Sequence, residues 1–300
     1  MVSFCEAMFF MWFLYQYRLY YDNMFGIILV TIGTIFDEIA SSSGKWNVNH
    51  KIEGMYTFGF LNYFWISMLF LILVLVRGEF IFSMQSLPLL GVLLVLEIAQ
   101  TYSSLHAIVE SERSTLGFLL VGTVPLLLVV DMFLGYTIPF GNIIGVSLIV
   151  LSLLFLFINH GLSKKGIGYV LFSTVNSVAT LSIFKYLITH YNAVESQQLI
   201  AHVVLAFFLF GMAVWKDNVN PLTLIFRKKF LFQSVSRSVA VALMSFAYLY
   251  APASIIAGAR RGSSALVSVI SGEKYFHEKH ILVKIVSFCL MVGGLVFLVI

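Results

Sequence analysis

Hydrophobic and polar residues alternate along this chain on the length scale of a bilayer. Apolar runs of about 20 residues, the length a helix needs to cross the hydrocarbon core, recur between short polar connections. They predict ten spans, over 24–43, 55–76, 88–109, 114–134, 138–158, 166–185, 197–217, 230–252, 256–273 and 280–300. The longest connection, 216–229, carries Lys216, Arg227, Lys228 and Lys229, and none has room for a soluble domain. Residues 1–23 are rich in aromatics, hold Glu6 and Arg18, and contain only a short apolar run. They lack the basic start of a signal peptide. They are expected to be an extension outside the core, either lying in the interface, where Trp and Tyr are favoured, or arising from start-site choice, since Met24 opens the first span.

Composition removes the soluble fold classes. Of 300 residues, 60% are hydrophobic and 11% charged, against about 25% charged in soluble domains, and the mean hydropathy is +0.97. The expected class is an all-α integral membrane protein, multi-pass, in the plasma or inner membrane. The net charge of +4 reflects basic loops at lipid headgroups, so the bilayer is the expected partner and nucleic acid is not. Cys5 and Cys289 both lie in apolar segments, which supports neither a disulfide framework nor a thiolate zinc site. His277-Glu278-Lys279-His280 lacks the i, i+4 histidine spacing of a zinc protease helix. With no phosphate-binding glycine loop and no nucleophile elbow, neither an enzyme nor a cofactor is expected.

The spans repeat. A shift of 142 residues carries 24 onto 166, 55 onto 197, 88 onto 230, 114 onto 256 and 138 onto 280, with no gap. Gly26 meets Gly168, Thr31 meets Ser173, Thr34 meets Asn176 and Glu38 meets Thr180. Because each half holds an odd number of spans, the halves must have opposite orientations. This predicts two inverted five-helix repeats, 24–158 and 166–300, an architecture of secondary transporters with the binding site near the midplane.

The last span of each half carries a further pattern: Phe276-His277-Glu278 followed by Ser287, Leu290 and Gly294, and Leu134-Gly135-Tyr136 followed by Gly145, Leu148 and Ser152. Two copies at the repeat offset make residues 24–300 resemble the EamA-like ten-helix branch of the drug/metabolite transporter superfamily. Tyr136 stands for the usual acid and Ser287 for the usual glycine. The resemblance implies transport of small metabolites. Glu38-Ile39-Ala40-Ser41-Ser42 is also similar to the first helix of the small multidrug-resistance members, which implies a carboxylate on which protons and cationic substrates compete.

Polar residues inside the spans define the candidate site. Thr31, Thr34, Glu38 and Ser41/Ser42 share one helix face, with Asp37 about 100° round from Glu38. Ser173, Asn176/Ser177 and Thr180 repeat the stripe in the sixth span. A charge near the centre of a span costs roughly 2.5–3.5 kcal/mol on insertion scales, so Glu38 is read as functional, while Asp37 either shares that role or faces a solvated end. Glu97, Gln100, Thr101 and Ser104 line one face of the third span; Ser234, Arg237, Ser245 and Tyr248 line the eighth. Arg237 either snorkels or pairs with Glu97 or an anionic substrate. Lys185 and Lys284 are expected to snorkel, Asp131 lies near a span end, and Pro125 is expected to kink the fourth span. Gly141 and Gly145 suit close helix contact.

The resulting expectation is an alternating-access secondary transporter, an exporter coupled to protons, of a small polar metabolite. Glu38 is the ion site, Asp37 and Glu97 modulate it, and Thr34, Thr101, Asn176, Thr180, Arg237 and Tyr248 line the cavity. An uncoupled facilitator or exchanger, and a non-transporting scaffold or sensor, are the alternatives. Lys and Arg concentrate in connections after odd-numbered spans (Lys45, Lys51, Arg113, Lys164, Lys165, Lys216, Arg227, Lys228, Lys229, Lys274 and Lys279), against Arg77, Arg260 and Arg261 after even ones. The positive-inside rule places the richer set in the cytoplasm; the family resemblance implies both termini there, which places it outside. Single cysteines in 216–229 are expected to react with an impermeant thiol reagent only from the cytoplasmic face if charge governs, and only from the opposite face if the family topology does.

Overall fold

A computed structural model of the chain describes residues 2–133, 140–159, 162–251, 253–276 and 281–299, with side chains from residue 24 onward except at a few helix positions. Among the described residues there are eleven α-helices and no strand: α1 Val2–Asn49, α2 Met55–Arg77, α3 Leu87–Glu110, α4 Arg113–Val121, α5 Thr123–Phe133, α6 Phe140–Ile158, α7 Ile167–His190, α8 Val194–Met212, α9 Lys228–Tyr250, α10 Ala253–Phe276 and α11 Ile281–Val299. Seven segments are long and apolar enough to cross a membrane: Met24–Asn49, Met55–Arg77, Met84–Glu110, Arg113–Val130, Ile167–His190, Val194–Asp217 and Lys228–Tyr250. The chain is thus an all-helical, multi-pass membrane protein. The apolar stretches Ile143–Ile158 and Leu282–Gly294 are shorter, and α10 holds Arg260 and Arg261 in its middle.

The expected fourth span is interrupted at one residue. It divides into α4 and α5 at Gly122, whose N–H bonds the Leu119 carbonyl at 3.0 Å. Pro125 lies three residues on; it has no N–H to offer the Val121 carbonyl, and its ring crowds that group. At the other extreme, α1 runs unbroken through residues 2–49, 48 residues or about 72 Å at 1.5 Å per residue. Residues 2–23 therefore continue the helix of the first span.

Two faces of α1 explain its place. Ile28, Ile32, Ile35, Phe36 and Ile39 are exposed, as a lipid-facing stripe requires, while Val30, Thr34, Glu38, Ser41 and Lys45 are buried. The buried side packs along α9, the most extensive helix contact in the bundle. Gly33 makes it possible: a Cβ there would stand 2.9 Å from Met244 and 3.0 Å from the Ala240 carbonyl. The other main pairs are α2 with α8, α3 with α7, α4 with α10 and α6 with α11. On α4, a Cβ on Gly117 would collide with Ser268 of α10. Between α6 and α11, Gly294 lies against the Gly145 carbonyl, and Ser152 Oγ donates to the Ser287 carbonyl at 2.6 Å. These are the trailing residues of the two repeat-end patterns, and they serve helix contact. The turns around Gly135 and His277, the His277–His280 loop and the Asp131 side chain lie outside the described residues.

Several basic residues expected at the surface are inside. Arg113, read as a loop residue, is 1% exposed, because Ser111 and Glu112 alone separate α3 from α4. Arg260 and Arg261 belong to α10 and face the bundle interior. Lys185 does not snorkel: its Nζ donates to the Tyr248 and Ala251 carbonyls at the end of α9, where a cation suits the helix dipole. Lys284 is buried and lies 3.5 Å from Glu112. What remains exposed at the odd connections, Lys51, Lys164, Lys165, Lys216, Arg227, Lys228 and Lys229, makes one end of the bundle strongly basic.

That end is laced by polar contacts. Asp217, in the π-turn Ala213–Asp217 that ends α8, accepts from Thr57 N at 2.7 Å and Thr57 Oγ1 at 2.8 Å. Glu53 accepts from Gln233 at 2.8 Å, and Gln233 in turn accepts from Asn47 at 3.0 Å. Burial, with Asp217 close by, pushes the Glu53 carboxyl from 4.5 up to about 7. A carboxyl raised on folding stabilises the folded state below its unfolded value and loses that stabilisation as pH rises through the folded one. Melting in detergent should therefore fall between pH 4.5 and 7 by an amount on the order of 3 kcal/mol in stability. Glu53→Gln should flatten that pH dependence; an unchanged profile would exclude Glu53 as its source.

Candidate functional site

Eight helices, α1 to α4 and α7 to α10, surround a cavity of about 220 Å³. Its wall holds three carboxylates, Asp37, Glu38 and Glu97, and four arginines, Arg113, Arg237, Arg260 and Arg261. The position of each follows from helix spacing. Glu38 and Ser41 lie one turn apart on the buried face of α1, Glu97 and Thr101 one turn apart on α3, and Arg261 and Ser264 one turn apart on α10.

Glu38 is fully engaged. Arg113 Nη2 donates to one of its oxygens and to Ser41 Oγ at 2.9 Å, and Ser264 Oγ donates to the other at 2.6 Å. Both members of the Glu38–Arg113 pair are buried, at 6% and 1% exposure, so each charge depends on the other. Asp37, rather than Glu97, is the partner of Arg237, and Arg260 Nη2 comes within 3.7 Å of the second Asp37 oxygen. Glu97 makes no ion pair or hydrogen bond among the described residues, although it lines the same cavity as Arg260.

Polar side chains share the rest of the wall with apolar ones such as Leu93, Leu116, Phe184 and Met244. Gln100 donates to Ser177 and Ser104, each at 3.2 Å, and Gln198 donates to Ser245 at 2.8 Å. Tyr63 bonds Thr101 at 3.0 Å and stacks on His202 with ring centroids 5.3 Å apart. His202 Nδ1 lies 2.7 Å from the Gln198 carbonyl; a carbonyl only accepts, so Nδ1 carries the hydrogen. The Tyr248 hydroxyl is buried beside Arg260 and Arg261 and donates no hydrogen bond among the described residues.

Seven of the nine residues singled out from sequence, Asp37, Glu38, Glu97, Thr101, Thr180, Arg237 and Tyr248, line this cavity. Two do not. Thr34 bonds back to the Val30 carbonyl at 2.7 Å, and Asn176 ties α7 to α3 through the Leu96 carbonyl and Gln100, both at 2.9 Å. Sequence reasoning missed Arg113, Arg260, Arg261, Gln197, Gln198, His202 and Ser264. For Arg260 and Arg261 the signal was present, since both fall inside the predicted span 256–273. For Arg113 there was none, because a basic residue beside a short connection reads as a loop charge. Among the described residues, no group of three His, Cys, Asp or Glu side chains is placed to hold a metal ion.

No family model matches the chain, and a search of curated proteins finds no match to it.

Removing one member of a buried ion pair strands the other, a loss of about 3–5 kcal/mol. Arg113→Met should lower unfolding stability in detergent by that order, and Glu38→Gln combined with Arg113→Met should recover most of it. A double-mutant cycle with no coupling would show that the pair does not form.

Proposed function

We propose that this protein is a secondary transporter of a small polar metabolite. The observation that carries the reading is the cavity itself: a charge-lined space among eight helices of a bundle whose spans are apolar enough to cross a membrane. Ion and solute sites in membrane proteins are where charged residues are retained against their insertion cost.

The inverted-repeat reading, with α4 and α5 counted as one broken span, draws support from the contacts. Under the 142-residue shift, the Gly145–Gly294 contact becomes Ser287–Ser152, and both contacts are present. The α1–α9 pair becomes α7–α3, and the pairs α2–α8, α4–α10 and α6–α11 each map onto themselves. This is the pattern of a pseudo-two-fold axis through the bundle, and the EamA-like resemblance is consistent with it. We place the basic end in the cytoplasm by the positive-inside rule, in the plasma or inner membrane, with export as the direction.

Proton coupling passes from Glu38 to Glu97 in this reading. Glu38 is held by Arg113 and Ser264, whereas Glu97 is the cavity carboxylate without an ion pair among the described residues. The pairing of both Asp37 and Glu38 with arginines favours a second reading, an uncoupled facilitator or exchanger. Proteoliposomes loaded with a pH-sensitive dye separate the two when challenged with a panel of polar solutes. The coupled transporter should move protons with its solute, and Glu97→Gln should reduce that movement at least tenfold while leaving solute exchange. Solute flux indifferent to a pH gradient would establish the facilitator; no flux of any solute would leave a scaffold or sensor.

A further inference from the structure

The cavity wall has one more cation than it has carboxylates, and the surplus can be located. Arg113 is taken by Glu38 and Arg237 by Asp37. Arg260 reaches Asp37 only at 3.7 Å. Arg261 has no carboxylate partner among the described residues; its Nη2 has Ser177 Oγ at 3.5 Å, and its Nε is buried with no partner. The Ser177 hydroxyl is itself committed, donating to the Ser173 carbonyl at 2.6 Å and accepting from Gln100. Arg261 is nonetheless 6% exposed. A buried guanidinium with unfilled donors, next to a second guanidinium and facing the cavity, is an unfavourable arrangement unless something negative enters that space. Beside it the Tyr248 hydroxyl, 2% exposed, is a further unused donor.

We propose that the cavity binds a small anion, whose carboxylate or phosphate group docks on Arg261 with Arg260 and Tyr248 at its sides. The planar fork of a guanidinium matches either group in bidentate fashion. Charge balance favours a monoanion: four arginines against Asp37, Glu38 and Glu97 leave one positive charge. A dianion is accommodated if Glu97 takes up a proton, which ties the substrate's charge to the coupling residue named above. A volume of about 220 Å³ lined by seven charged side chains suits a small polar metabolite better than a lipid. The site belongs to one half of the chain: the 142-residue shift places Phe118 and Leu119 opposite Arg260 and Arg261.

The proposal deepens the transporter reading by naming its substrate class, but the binding step is tested by itself. Melting of the purified full-length protein in detergent is followed with acetate, inorganic phosphate or glycerol phosphate at constant ionic strength and constant chloride. Glycerol and tetramethylammonium serve as the neutral and cationic probes. At least one anion should raise the melting temperature by several degrees, with glycerol phosphate outperforming glycerol if phosphate is the recognised group and acetate leading if carboxylate is. Arg261→Gln should weaken the responding anion at least tenfold, and Arg261→Lys, which keeps the charge and loses the fork, about threefold or more. Tyr248→Phe offers a milder second variant, expected to weaken binding severalfold should either Arg261 variant fail to fold. The proposal is overturned if no anion stabilises the native protein, if tetramethylammonium does so instead, or if the folded variants bind anions as tightly as the native chain. Anion binding without flux in proteoliposomes would keep this site and remove the transporter reading. Flux of neutral or cationic solutes with no anion binding would do the reverse.

Discussion

Inside a lipid-spanning bundle a charge has no bulk water to face, so it is stable only against an opposite charge or a full set of hydrogen bonds. The Glu38–Arg113 pair is the point on which this architecture turns. It joins α1 to the start of α4, Ser264 brings in α10, and the pair sits within the cavity wall. Asp37 performs the same service between α1 and α9 through Arg237, with Arg260 of α10 nearby. Two adjacent acids on one helix thus secure three others, and the cavity is bounded by the side chains that secure it.

Around this charged centre the packing is made of small residues and outward apolar stripes. Gly33 lets α1 approach α9, Gly117 lets α4 approach α10, and Gly145 and Gly294 let α6 approach α11. Without a hydrophobic drive between helices in lipid, such close contact and a few interhelical hydrogen bonds supply the association. The Ser152–Ser287 bond is one of them. Arg113, at the head of α4, lies beside Glu38.

Pairing also changes what the acids can do. A carboxylate gripped by a guanidinium and a serine hydroxyl holds structure, whereas one that faces the cavity without a partner is free to exchange a proton. That distinction moves attention from Glu38 to Glu97, and from Arg237, which is satisfied, to Arg261, which is not. The anion proposed for the cavity is opposite in charge to the cation implied by the first-helix resemblance.

How much of this was legible beforehand depends on the range of the interaction involved. Helix class, the positions of seven of the ten expected spans, the polar face of α1 and the three cavity carboxylates follow from periodicity and from the cost of charge in hydrocarbon, and both are local properties that a sequence displays directly. Seven of nine chosen residues accordingly reach the cavity wall. Thr34 and Asn176 are not among the lining residues, because a hydroxyl or amide on the right face can still be satisfied by its own backbone or a neighbouring helix. Arg113 is invisible because its burial depends on a two-residue connection folding it inward. Arg260 and Arg261 were within a predicted span yet read as loop charges, and only helix packing shows which way they face. The sequence alone therefore determines that the chain crosses the membrane many times and carries acids within its spans. Which cation each acid meets, and which cation is left over, was decided by tertiary structure, because electrostatic pairing depends on distances between helices that no local pattern encodes.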